Sequence, residues 1–110
     1  MLKMDLEYVK EILFVRLDGT LSRRTAYKIN NYLVPIIKKH QIKNLIYNFQ
    51  DLKSIDETGI DAILNTKCLI KRNKGKICLC EVAKEISLKL KRLHITQTTS
   101  EKEAQKRLEV

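Results

Sequence analysis

Three apolar runs constrain the fold of this chain more than any other feature: ILFVRL (Ile12–Leu17), KNLIYNF (Lys43–Phe49) and KICLCEV (Lys76–Val82). Each is short, sharply bounded and rich in β-branched, aromatic or leucine residues, which predicts a buried strand. They recur at intervals of about 30 residues, the length of a strand–helix–strand unit. The stretches between them read as helices. Ala26, Ile29, Leu33 and Ile36 or Ile37 recur at helical spacing, with Ser22 the predicted N-cap of a helix from Arg23 to about His40 and Pro35 a kink within it. Ile60, Ile63, Leu64 and Cys68 form a second stripe that starts at Thr58 and closes near Asn73, with Gly75 at the turn. Strands joined by such crossovers run parallel.

The flanks complete the order. Met4–Val9 is predicted to form a first strand in a hairpin with Ile12–Leu17, which Asp18–Thr20 should end. Ile86, Leu88, Leu90 and Leu93 suggest a short third helix, and HITQTT a last edge strand. Ser100 and Glu103 make a capping box for a final helix to Leu108. The expected class is α/β: one domain over residues 1–110, with a mixed, mostly parallel sheet and helices mainly on one face.

Composition narrows the function classes. Of the 110 residues, 44% are hydrophobic and 32% charged, enough for a modest core in a charged shell. No apolar run is long enough to span a membrane, and MLKMDLEYVK lacks the apolar core of a signal peptide, so the expected compartment is the cytoplasm. Cys68, Cys78 and Cys80 read as buried free thiols, the last two on one face of a strand, and neither His40 nor His94 stands at metal-ligand spacing to them. No metal or cofactor is expected. The net charge of +9 admits nucleic acid, with Lys67, Lys71, Arg72, Lys74 and Lys76 at one end of the second helix. Against that, the basic residues are spread along the chain, there is no Trp, and Phe14, Tyr47 and Phe49 fall in predicted strands, so stacking platforms are missing. RLDGT superficially matches a phosphatase loop of the form D-x-D-G-T, but Arg16 stands where the nucleophilic Asp would be, and no phosphate-binding or nucleophile-elbow motif occurs. Enzymatic activity is not expected.

The remaining feature is SIDETGIDAIL, Ser54 to Leu64, where Asp56, Glu57 and Asp61 gather at the predicted start of a helix. A helix N-terminus offers free N–H groups and partial positive charge, so carboxylates belong there as caps. Asp56 or Thr58 is the expected N-cap, and Thr58 with Asp61 forms a box-like pair. The same position can seat a phosphate, and a hydroxyl there could serve as a charge switch.

Taken together, VRLDGTLSRRTA, IKNLIYNFQDLKSIDETGIDAIL and NKGKICLCEV resemble the STAS domain family, and within it the bacterial anti-sigma factor antagonists, over about residues 5 to 108. The resemblance implies a protein-binding, partner-switching regulator of transcription, whose partner is an anti-sigma factor that is also a serine kinase of GHKL type. It also implies phosphorylation in a D-S-[ST]-G loop that abolishes binding. The position of the phosphorylated serine is occupied by Glu57, which cannot accept phosphate; Thr58 holds the second hydroxyl position, and Ser22 replaces a common Asp. Three readings follow: a phosphorylated-like state, a switch moved to Thr58, or constitutive binding with regulation at the usual site lost, which is favoured. The expected partner surface comprises Asp56, Glu57, Thr58, Gly59 and Ile60 with the turn Thr20–Arg24, including Ser22, Arg23 and Arg24. Leu69 or Ile70 would extend it if exposed. Roles in a stressosome or beside a lipid-transport ATPase are the alternatives within the family.

Overall fold

The computed structural model describes residues 1–108. Five strands form one sheet in the order β1-β2-β3-β4-β5: β1 (Leu2–Val9), β2 (Ile12–Leu21), β3 (Asn44–Ile55), β4 (Lys76–Cys80) and β5 (Thr96–Thr98). Only the β1–β2 pair is antiparallel; the other three are parallel. The hairpin closes through Lys10 and Glu11, both with positive φ (51° and 64°). That is the geometry of a two-residue turn usually built from Asn and Gly.

The strands are longer than the apolar runs suggest. β2 does not end at Asp18–Thr20. It continues to Leu21 through irregularities between Arg16 and Asp18 and between Gly19 and Thr20. Gly19 makes this possible: its φ is 118°, and a Cβ there would strike the Met1 carbonyl, which accepts a hydrogen bond from Thr20 N. β3 likewise runs on through QDLKSI to Ile55. These extensions carry both strands to the end of the sheet where the acidic motif begins.

Four α-helices follow in sequence, α1 (Val34–Lys39), α2 (Glu57–Arg72), α3 (Lys84–Leu90) and α4 (Glu101–Leu108). The first differs most from expectation. Ser22 does cap a helical run, its carbonyl accepting from Ala26 N at 2.8 Å and its hydroxyl from Arg24 N at 3.3 Å, but that run is not one regular α-helix. The chain turns through Arg23–Ala26, is briefly α-helical at Tyr27 and Lys28, widens into a π-type stretch at Ile29–Leu33, and returns to α-helix at Val34–Lys39. Pro35 stands in the first turn of α1, where its missing N–H costs nothing, and the wide turn accommodates the chain before it.

Side chains alternate across the sheet. Val15, Leu17, Leu45, Tyr47 and Leu79 face α1, α2 and α3 in the main core. Phe14, Ile46, Cys78 and Cys80 face the other side, where Ala104 and Leu108 of α4 cover them. The central strands are therefore buried on both faces over most of their length, which explains their mainly apolar runs. Cys78 and Cys80 are buried as expected, but Cys68 is exposed. The α2 stripe is rotated from the predicted one. Ile60, Ile63, Thr66, Leu69 and Ile70 point inward, and Leu64 and Cys68 outward. Thr66 accounts for the rotation: it donates to the Ile63 carbonyl (2.7 Å) and receives the buried Tyr47 hydroxyl (2.8 Å). Leu69 and Ile70 are thus core residues and add nothing to an outer surface. In α3, Leu88 is exposed while Ile86 and Leu90 are buried.

Candidate functional site

β2 and β3 end side by side, with Thr20 opposite Ser54 and Leu21 opposite Ile55. The chain leaves β2 into the Ser22–Arg24 turn and leaves β3 into α2, so the two exits share one edge. Asp56 joins them. It is the N-cap of α2, with Oδ1 accepting from Gly59 N at 2.9 Å. Oδ2 accepts from Arg23 N at 2.9 Å, and Asp56 N donates to the Leu21 carbonyl at 3.2 Å. The hydrogen bonds from Gly59 and Arg23 hold the Asp56 carboxyl below its ordinary range. Asp56, not Thr58, is therefore the cap, and the Thr58–Asp61 pair lies inside the helix.

Gly59 permits the close approach. A Cβ at this position would lie 2.6 Å from the Leu21 carbonyl oxygen and 2.8 Å from the Leu21 side chain. The first turn of α2 is thus pressed onto the end of β2, and Ile60 is 1% exposed in the core below. Gly59 and Ile60, both expected in the partner surface, support it from beneath instead.

The outward residues are Ser22, Arg23, Arg24, Asp56, Glu57 and Thr58, around an open depression of about 450 Å³. Thr20 lies at its margin, its hydroxyl accepting from Ser54 Oγ at 3.2 Å. Thr25, absent from the sequence-based site, shapes the turn: its hydroxyl accepts from Ser22 N and donates to the Thr20 carbonyl, both at 2.8 Å. A Thr three residues after Ser22 was the available signal for that turn. Arg92, also missed, follows α3 and donates to Glu57 at 2.8 Å. Nothing in the sequence links residues 57 and 92; their pairing depends on how α3 packs beside α2.

The arrangement is a shallow polar surface on a rigid base, not a cleft with an acid, a base and a nucleophile. The fold is that of a small α/β domain with an exposed polar surface where β2 and β3 end. The family comparison makes the assignment specific: the STAS domain model matches residues 3–105, and the chain belongs to that family. The anti-sigma F factor antagonist of Paenibacillus polymyxa is 26% identical over 81 residues, covering 74% of this chain and 69% of the relative. The anti-sigma factor antagonist SpoIIAA in its unphosphorylated form superposes with a TM-score of 0.80 at 22% identity, covering 96% of both chains. A Moorella thermoacetica RsbS variant with a serine-to-glutamate substitution superposes with a TM-score of 0.81 at 14% identity, over 96% of this chain and 94% of that one. No helix among the described residues is long and apolar enough to cross a membrane.

Proposed function

We propose that this chain is an anti-sigma factor antagonist, a protein-binding regulator that docks an anti-sigma factor on the surface formed by Ser22–Arg24 and Asp56–Thr58. The Paenibacillus relative supports the class. The observation that carries the site is the double engagement of Asp56, which fixes the turn and the start of α2 as one unit. A preorganised surface loses little conformational entropy on binding.

Glu57 stands where the family resemblance places the phosphorylated serine. Its single charge is below the about −1.5 to −2 of a phosphoserine, and Arg92 lies 2.8 Å away to balance it. Both side chains are over half exposed, 75% and 54%, so the pair adds little stability. Its effect is on surface charge: residue 57 presents a formally neutral pair where a phosphoserine would present a dianion. This favours a constitutively binding state over a phosphorylated-like one. The kinase partner is of GHKL type and acts in the cytoplasm in this reading.

The test is incubation with the cognate GHKL-type anti-sigma kinase, with and without ATP, followed by size-exclusion chromatography and phosphopeptide mapping. The expected result is a stable complex irrespective of ATP and no phosphate in residues 54–64. Glu57→Ser should restore ATP-dependent release, and Arg92→Ala, which uncovers the carboxylate, should weaken the complex. Absence of any complex would overturn the function; phosphate on Thr58 would overturn constitutive binding and place the switch one residue further on.

A further inference from the structure

The opposite end of the sheet holds a second concave feature. β4 begins there, with Lys76 opposite Asn44 at the start of β3. The C-terminal half of α2, the start of β5 and the end of α4 converge on it. They line a half-open cavity of about 180 Å³, with Lys67, Lys71, Lys76, His94, Thr96 and Arg107 among its walls. No Asp or Glu among the described residues lines it. Among the described residues, the ion pairs of this protein use Arg16, Arg92 and Lys106, so none of the four cavity cations is matched by a carboxylate.

The cations are held on fixed backbone. Lys67 donates its ammonium to the Leu93 carbonyl at 2.5 Å, which anchors it beside His94 and leaves its remaining N–H donors for another acceptor. Lys76 N donates to the Lys43 carbonyl at 2.7 Å, and Gly75 N to the Ile70 carbonyl at 2.9 Å, so the turn entering β4 is tied at both sides. Lys74 and His94 adopt left-handed backbone (φ 63° and 54°) where α2 and the turn after α3 end, which fixes the path of the chain into the cavity wall. Thr96 adds a hydroxyl of either hydrogen-bonding sense. Like charges converging on a concave site repel one another and focus positive potential, a cost that a bound anion removes.

We propose that this cavity is a binding site for a phosphate-sized oxyanion, either inorganic phosphate or the phosphoryl group of a small metabolite. The volume accommodates a tetrahedral oxyanion, and the open side lets any organic remainder extend into solvent. The site is separate from the docking surface, and its test does not involve the anti-sigma partner.

The experiment is titration of the ¹⁵N-labelled chain with inorganic phosphate, read by amide chemical shifts, with chloride at matched ionic strength as control. Saturable shifts are expected at Lys67, Lys71, Gly75–Lys76, His94–Thr96 and Arg107, with Arg23 and Glu57 unmoved. Lys71→Gln and Arg107→Gln, both at exposed positions, should each weaken binding by about tenfold, the loss expected for one charge-assisted hydrogen bond. Arg23→Gln should leave it unchanged. Repeating the titration with phosphoserine and with glycerol phosphate distinguishes the two sources: tighter binding than free phosphate identifies a metabolite's phosphoryl group, and weaker binding the free ion. Non-saturating shifts spread over all lysines, or equal shifts with chloride, would overturn the proposal. So would tighter, steeply salt-dependent binding of a single-stranded oligonucleotide over the same residues, which would make this face a nucleic-acid surface.

Discussion

The Asp56 carboxylate accepts hydrogen bonds from Gly59 in its own helix and from Arg23, 33 residues away in the chain. A neutral side chain at 56 can cap the helix, but it cannot engage both N–H groups as a charged acceptor. Its folded-state pKa is lowered from the ordinary 3.8, first by Gly59, then by Arg23. The sign of the linkage follows. The stabilisation from this carboxylate is fully present above the ordinary value and is lost as pH falls through the lower folded-state value. Urea denaturation from pH 6 down to pH 2 should therefore show the wild type losing stability relative to Asp56→Asn once the pH drops below 3.8. At neutral pH, Asp56→Ala should lower the midpoint more than Asp56→Asn, since Asn still caps. Parallel pH profiles for wild type and Asp56→Asn would show that the carboxylate's charge contributes nothing.

Among the elements, α4 is the one that packs alone on its face of the sheet. Its apolar contact rests on Ala104 and Leu108 over Phe14, Ile46, Cys78 and Cys80. Its first residue, Glu101, accepts from Arg16 Nε (2.7 Å), Arg16 Nη2 (2.9 Å) and Asn48 Nδ2 (2.7 Å). Burial pushes the Cys80 thiol up to about 12, with Glu101 and Glu81 adding to the shift, so this thiol is both hidden and unreactive in the closed state. Native labelling with a thiol reagent should modify the exposed Cys68 first, and Cys78 and Cys80 only as α4 opens. Glu101→Gln should speed labelling of the buried pair by about tenfold, the weight of one charged hydrogen bond, without changing the rate at Cys68. Equal rates at all three cysteines would show that α4 does not cover the sheet.

Element types were more legible in the chain than their ends. ILFVRL, KNLIYNF and KICLCEV are mainly apolar because both faces of the central strands are covered, with Arg16 and Asn48 meeting Glu101 at the start of α4, and no turn signal interrupts them. The final helix carried its Ser100 cap openly, and Ser100 Oγ does accept from Glu103 N at 3.1 Å. The errors share a cause. DGT looked like a strand end because Gly19 is a turn residue by default; here it admits a bulge against Met1. The α2 stripe was misplaced because Thr66 is polar, and only its bond to Tyr47 makes it a core residue. At the site, Asp56 and Glu57 could be found from local capping chemistry. Arg92 and Thr25 could not, since one depends on α3 docking and the other on the path of the turn.

At the scale of the molecule, stability should be graded along β3. Leu45–Asn48 pair with both β2 and β4, whereas Asp51–Ile55 pair with β2 alone. Leu45–Phe49 are buried in unbroken succession, while Gln50, Asp51, Lys53 and Ser54 are exposed. The inner half can open only with the whole sheet; the outer half, next to the proposed docking surface, can open with the Ser22–Arg24 turn and the first turn of α2. Native-state hydrogen exchange in increasing denaturant should place amides 45–48 at the global unfolding free energy, with a steep denaturant dependence. Amides 51–55 should exchange through smaller, weakly denaturant-dependent openings, and Asp56→Ala should speed them while leaving the inner set tied to global stability. Uniform protection along β3 would mean that the surface and the core open as one cooperative unit. A gradient would locate the adjustable part of the molecule at the edge where Asp56 joins the two strand exits, leaving the sheet beneath it free to stay rigid while a partner docks.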